Sequence, residues 1–356
     1  HLVKKGHRSI VVSGGGRLVD QLEKEGSEHI KRSIGSKSPL ALLHILPLRR
    51  LIKKNKVDIL HLRSRMPAWI GYIVWKTLPR HHRPVLVTTF HGFYSVNAYS
   101  AIMTRGEGVI AISESIKKHI LENYSRVTNV RLIFRGVDAE YFNPRKIALS
   151  RQKQLAESWA LEDGRRVLML PGRLTRLKGQ EFLLKSLLHV AYPEFTSVMV
   201  GDTADNPDYS VELKDFIEAN GLKDKARLVG HCSDMPAAFM LADIVLSTSS
   251  LEPEAFGRTT VEAMAMGKPV IATAHGGSLE TVIDGENGWL VTPSDEKGLA
   301  KSVDAALALS KEELARMGAR GQARVLKNFT SRAMCEKTEA FYIELLDAKG
   351  DKMTCD

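Results

Sequence analysis

Short apolar runs recur along the chain at nearly regular intervals, and amphipathic, charge-rich stretches separate them. Residues 8–13 (RSIVVS), 57–62 (VDILHL), 84–89 (PVLVTT), 108–113 (GVIAIS) and 129–134 (NVRLIF) are rich in β-branched side chains and predict strands. Between them, LALLHILPLRRLIKKNK and PAWIGYIVWKTL carry apolar residues at helical spacing. The pattern restarts with RVLMLP (166–171), TSVMVG (196–201), ARLVG (226–230), ADIVLS (242–247), KPVIAT (268–273) and GWLVTP (288–293). GQEFLLKSLLHVAY and SVELKDFIEANGL supply helices among these strands. Alternation of strand and helix implies a parallel, doubly wound α/β sheet, and here it occurs twice in series.

The polar segment NPRKIALSRQKQLAESWALEDGRR (143–166) breaks the pattern and reads as the link between the two series. That places an N-terminal domain at 1–147, a C-terminal domain at 148–330, and a last helix at 331–356 that crosses back to the first domain. A length of 356 residues suits two domains. The opening HLVKKGH reads as the end of a helix with Gly6 at its C-cap, followed at once by a strand. A doubly wound domain begins with a strand and a tight loop, so these are expected to be missing from the chain, and transfer chemistry without them is expected to be weak.

Composition narrows the class. Apolar residues make up 44% of the chain, enough for two cores. No apolar run approaches the ~18–20 residues of a membrane span, and no secretory leader is evident. Cys232, Cys335 and Cys355 are odd in number, widely separated and without metal-like spacing, which predicts a reducing, cytoplasmic setting. The first 150 residues carry 26 Lys and Arg against 10 Asp and Glu, whereas the remainder carries 25 against 31. The basic lobe is either a solvated face or a surface for a polyanion. Aromatic residues are only 6% of the chain and do not alternate with basic ones, which argues against nucleic acid.

Candidate chemistry gathers at predicted strand ends. Ser13-Gly14-Gly15-Gly16 follows a strand but does not complete G-x-G-x-x-G, because Val19 occupies the last position. Nicotinamide chemistry is therefore poorly supported. No Asp-x-Asp pair and no metal-ligand spacing occurs, so neither a metal nor another cofactor is expected. Pro171-Gly172-Arg173-Leu174-Thr175-Arg176-Leu177-Lys178-Gly179 starts where the first strand of the second series ends, the edge at which open α/β sheets bind ligands. Arg173 and Lys178 are suited to phosphate there. After ADIVLSTS, a loop holding Glu254 leads to a helix near Gly257 that carries Glu262. Eight uniform helical steps would leave the two acids about 80° apart, so they are either two unrelated surface acids or one loop acid and one helical acid. The loop SLEPEAFG before the helix near Gly257 favours Glu254 in the loop and Glu262 on the helix. Each carboxylate could then accept from hydroxyls on a different part of one ligand. Glycines recur at a third strand end, in His275-Gly276-Gly277 and Asp284-Gly285-Glu286-Asn287-Gly288.

Taken together, GRLTRLKG, the E-x7-E segment with Phe256-Gly257 and VEAMAMGKPVIAT, and GGSLETVIDGENGWLV resemble the retaining, nucleotide-sugar-dependent glycosyltransferases of family 4. The resemblance extends through TTFHGFY, VIAISES and FRGVD to nearly the whole chain, and HGFYSVNAYSAIMTRGE is similar to bacterial enzymes of lipopolysaccharide or other cell-envelope glycan assembly. It implies the GT-B fold, two Rossmann-like domains facing across a cleft. It also implies that Gly172, Arg173 and Lys178 bind the donor diphosphate and Glu262 the ribose. Glu254, Phe256 and Gly257 would contact sugar and phosphate, with His91 facing the sugar and His231 and Cys232 near the base. Arg258 departs from the leucine common in the family and is expected to add a cation beside phosphates or acceptor.

The expected reaction moves a sugar from a UDP- or GDP-sugar to a hydroxyl of a glycan or lipid-linked acceptor, with retained anomeric configuration and no metal. The competing readings are a nucleotide-sugar 2-epimerase of similar architecture and a non-catalytic protein that binds anionic lipid. Leu42 to Lys56 supplies the lipid reading. Arg49, Arg50, Lys53, Lys54 and Lys56 adjoin a run of leucines and isoleucines there, interrupted by Pro47, which is expected to split the helix. The protein is expected to be cytoplasmic, and attachment through this segment would place it peripherally on the inner face of the bacterial cytoplasmic membrane.

Overall fold

A computed structural model describes residues 1–354 apart from Lys37, Arg126 and Asp205, so Cys355 lies outside the described residues. The chain forms two compact units. The first comprises residues 1–134 and 332–356, the second residues 135–331.

In the first unit, β3 (Ile59–Leu62), β4 (Val85–Phe90), β5 (Gly108–Ala111) and β6 (Val130–Leu132) form a four-stranded parallel sheet in that order. β1 (Ile10–Ser13) pairs in parallel with β2 (Glu28–Lys31) in a separate ribbon. Val12 of β1 and Leu60 of β3 pack on one cluster, formed by Ile34, Ala41, Leu48, Ile52, Ile70, Val74 and Leu78, although the two strands share no ladder. The sequence did not signal β2, whose EHIK has only its two central residues half-buried.

The last helix, Ser331–Thr354, belongs to this unit. Phe341 and Leu345 join Val85, Val87, Ile110 and Ile133 in a buried cluster. Its approach is close: a Cβ added at Gly108 would stand 2.6 Å from Leu345 Cδ1.

The second unit holds six parallel strands in the order β12-β11-β10-β7-β8-β9. They are β7 (Arg166–Pro171), β8 (Phe195–Val200), β9 (Ala226–Gly230), β10 (Ile244–Ser247), β11 (Val270–Thr273) and β12 (Gly288–Val291). β8, β10 and β11 are buried throughout, as strands of a parallel sheet covered by helices are. Order reverses between β7 and β10, so the loops after those two strands diverge at one edge of the sheet.

The domain boundary read from sequence needs correction. Residues 135–147 belong to the second unit, where Val137 bridges Thr330 in parallel. The supposed link is also structured. Leu149–Ser158 is a helix, and Arg151 forms two hydrogen bonds to Asp234, at 2.8 and 2.6 Å. Its polar character reflects an outer helix with no fully buried residue, not a flexible connection. Pro47 does not split a helix either. A 3-10 turn, Pro39–His44, runs into the α-helix Ile45–Lys54, and Pro47 falls in the first turn, where no intrahelical N–H bond is lost.

Candidate functional site

The switch between β7 and β10 brings two distant loops together. β7 ends at Pro171, and the chain runs through Gly172 and Arg173 to a 3-10 turn at Arg176–Lys178. Gly179 then adopts φ +73° and opens the helix Gln180–Leu187. Glycine is required here, because a Cβ would lie 1.9 Å from the Thr248 carbonyl oxygen, which belongs to the loop after β10. Thr248 Oγ1 in turn donates to the carbonyls of Lys178 and Gly179, at 3.1 and 3.0 Å.

That junction positions the charged groups. Lys178 Nζ lies 2.6 Å from Glu254 Oε2, and Ser249 Oγ donates to the same oxygen at 3.1 Å. The Lys178 and Glu254 side chains are both largely shielded, so the pair is held in register by more than solvent-exposed charge. Arg173 is exposed; its carbonyl accepts from Gln180 Nε2 at 3.0 Å, and its guanidinium has no partner among the described residues. The ammonium is held by Glu254 while the guanidinium of the same loop is free among the described residues, and both are groups able to bind phosphate.

Glu254 lies in the loop and Glu262 on the helix Arg258–Ala265, as the loop residues before Gly257 led one to expect. Gly257 caps that helix at φ +81°, a left-handed conformation that turns the loop into it. Glu254 is also tied through its backbone, since Gly277 N donates to its carbonyl at 2.7 Å. Glu262 is 9% exposed. Burial raises the pKa of its carboxyl, and the charge and hydrogen bond of Arg258 pull the other way. Arg258 Nη2 contacts Glu262 Oε1 at 3.0 Å across one helical turn. Arg258 is therefore not a free cation of the loop but is paired with Glu262.

His231 and Cys232 follow β9 at the same edge of the sheet. Gly201 N donates to the Gly230 carbonyl there at 2.9 Å, which joins the ends of β8 and β9. Burial pushes the Cys232 thiol pKa up, so it is a poor nucleophile. Phe256 is buried and packs edge-on to Phe329 at 5.7 Å, which makes its side chain a support while its backbone borders Gly257. His91 immediately follows β4 in the first unit, half-buried, with its backbone N–H 3.5 Å from Tyr94 Oη. The structure thus gathers Gly172, Arg173, Lys178, Glu254, Phe256 and Gly257 on adjoining loops, with Arg258 and Glu262 on the helix that follows, and places His91 in the other unit.

Sequence reading missed several supports. Thr248 and Ser249 hold the loop junction, and Thr273 Oγ1 donates to the Ser249 carbonyl at 2.6 Å. Tyr141 is half-exposed beside Phe142, and its phenol is pushed up by burial first, with the charges of Asp234, Cys232 and Glu262 adding to the effect. Thr248 and Thr273 act on partners far along the chain, so nothing local marks them.

Residues 1–141 match Glycosyltransferase Family 4, and residues 151–324 match Glycosyl transferases group 1. The solved glycosyltransferase of Rickettsia africae ESF-5 is 34% identical, with a TM-score of 0.89 over 97% of this chain and 92% of that one. The capsular polysaccharide biosynthesis glycosyltransferase CapM of Staphylococcus aureus is 26% identical over 99% of this chain and 93% of its own length. The lipopolysaccharide core biosynthesis mannosyltransferase LpsB of Rhizobium meliloti strain 1021 is 29% identical over 60% of this chain and 61% of its own. Fold and matches together define a glycosyltransferase of the GT-B type. The chain belongs to glycosyltransferase family 4, of the group 1 glycosyl transferases.

The two acids lead to separable expectations. Glu262→Ala should chiefly raise the donor KM, because a hydroxyl contact on a remote part of the donor exists equally in ground and transition states. Glu254→Ala should lower kcat more, because its carboxylate sits against the Lys178 cation. Steady-state kinetics showing the opposite split would exchange the two roles.

Proposed function

We propose that the enzyme transfers a sugar from a UDP- or GDP-sugar to a hydroxyl of a glycan or lipid-linked acceptor in bacterial cell-envelope polysaccharide synthesis, with retention of anomeric configuration and without a metal. One observation carries this reading: Lys178, locked to Glu254, and the unpartnered Arg173 occupy the carboxyl edge of the sheet at its switch point. The named activities of CapM and LpsB support the cell-envelope setting. The same reading places the enzyme in the cytoplasm.

The donor's diphosphate would lie against Arg173, Lys178 and the backbone from Gly172, with further N–H groups at the start of the helix Arg258–Ala265. Glu262 would take the ribose hydroxyls after exchanging its bond to Arg258, and the base would lie by His231 and Cys232. As the bond from anomeric carbon to phosphate oxygen breaks, its electron pair leaves with the nucleoside diphosphate. The acceptor oxygen bonds to the same face of that carbon, and its proton passes to the departing phosphate oxygen. Lys178, held by Glu254, and Arg173 would stabilise this growing charge. The acids at the switch point serve hydroxyls and Lys178, which favours this same-face route over a double displacement between two free carboxylates.

The test is a screen of UDP-, GDP- and ADP-sugars by thermal shift and mass spectrometry, with and without chelator. A stabilising UDP- or GDP-sugar, with transfer that survives chelation, is expected. Activity lost to chelator and restored by Mn²⁺ would overturn the metal-independent assignment. Donor consumption that needs no acceptor and releases an epimeric sugar nucleotide would favour the epimerase instead.

A further inference from the structure

Residues 29–57 contain eight Lys and Arg and no Asp or Glu. Most of this cationic segment is the 3-10 turn Pro39–His44 and the helix Ile45–Lys54. One side of the helix is accounted for: Leu48 and Ile52 are buried in the core of the first unit, with Ile45 packed beside them. The other side is not. Leu40, Leu42, Leu43 and Leu46 are 68, 52, 70 and 62% exposed. Single exposed leucines are ordinary, but four within seven residues form a patch. Leu46, Arg50, Lys53 and Lys54 are all exposed and recur at i, i+4, i+7 and i+8, one outward face of the helix. No ion pair engages Arg50, Lys53 or Lys54 among the described residues. The face is therefore graded, apolar at its N-terminal end and cationic at its C-terminal end.

We propose that this face docks on an anionic lipid bilayer, the leucines entering the interface and the cations meeting the headgroups. Charge complementarity selects an anionic surface, because the segment offers no carboxylate to a basic partner. The leucines select a bilayer over a dissolved polyanion, which has no apolar phase to receive them. Long Lys and Arg stems suit such a boundary, since their methylenes lie along apolar material while the charge reaches water. The patch lies in the first unit and the phosphate-suited loops in the second, so vesicle binding without nucleotide tests it separately from the donor assignment.

The experiment is co-sedimentation of the full chain with vesicles of phosphatidylcholine alone, or with about a third phosphatidylglycerol, across salt up to ~0.5 M. Binding only to the anionic vesicles, falling steeply with salt, is expected. Combining Arg50→Gln, Lys53→Gln and Lys54→Gln should weaken it about 10²-fold, at roughly fivefold per cation. Combining Leu42→Ser, Leu43→Ser and Leu46→Ser should weaken it about tenfold or more while heparin binding stays unchanged. Circular dichroism checks that both variants fold; the charge variant alters only exposed side chains and carries the test if the leucine variant does not. Equal binding to neutral vesicles, no binding to either, or full binding by the charge variant overturns the proposal. A folded leucine variant that binds like the parent also overturns it, leaving only a cationic surface.

Discussion

Arg173→Ala and Lys178→Ala are each expected to slow sugar transfer about 10²–10³-fold, or ~2.7–4 kcal/mol, the scale of removing one preorganised donor to transition-state charge. Arg173 is exposed, and its loss leaves no buried group unpaired, so that variant should fold and melt like the parent. Lys178 differs. Its removal leaves Glu254, only 21% exposed in its side chain, facing Ser249 without its cation. Lys178→Ala should therefore also weaken donor binding, because an unpaired carboxylate would face the diphosphate. Lys178→Ala/Glu254→Ala should recover part of that binding loss but little of kcat. Single-turnover transfer with donor titration separates the two effects. Wild-type rates in either single variant would remove the phosphate assignment.

The first unit should lose up to about 5 kcal/mol of stability on acidification because of His61, taking ~1.4 kcal/mol per pKa unit. His61, on β3, contacts Tyr342 Oη of the last helix through Nδ1 at 2.5 Å and Thr89 Oγ1 of β4 through Nε2 at 2.6 Å. Although part of its surface is accessible, the protein around the ring, with the charges of Arg63 and His91, lowers its pKa from 6.5 to about 3. Tyr342 is pushed up to about 12, chiefly by burial, and stays protonated. The folded pKa lies below the unfolded one, so the contribution is complete above pH ~6.5 and is lost as pH falls toward ~3. His61→Gln offers a donor and an acceptor that do not titrate. Urea unfolding followed through Trp69 and Trp75, from neutral pH to pH ~4, should show a steep loss in the parent and a shallower one in the variant. Parallel losses would show that other groups carry the acid sensitivity.

Much of the chain's organisation was legible because it rests on short periods. Every strand of the second unit coincides with a short apolar run read from the sequence, and β8, β10 and β11 become parallel strands buried throughout. β2 escaped notice for the same reason, since its EHIK buries too little to leave a pattern. The segment at 143–166 misled because a polar outer helix and a linker look alike in composition. Pro47 misled because its effect depends on which turn of the helix it occupies.

The candidate site divides along the same line. By itself the sequence pointed to Glu254 in a loop and Glu262 on a helix, because SLEPEAFG with Pro253 and Gly257 marks a loop that ends where the helical run VEAMAM begins. It also determined that Arg173 and Lys178 follow a strand end, and that joint motifs mark a family-4 glycosyltransferase. Only the tertiary structure decided which charges meet. Lys178 and Glu254 are 76 positions apart, and their 2.6 Å contact depends on β7 and β10 being neighbours in the sheet. The pairing of Arg258 with Glu262 and the burial of Glu262 were hidden likewise. The reason is physical: backbone sterics and side-chain period act over a few residues and are written locally. Ion pairing and desolvation depend on what long-range packing brings within a few ångströms.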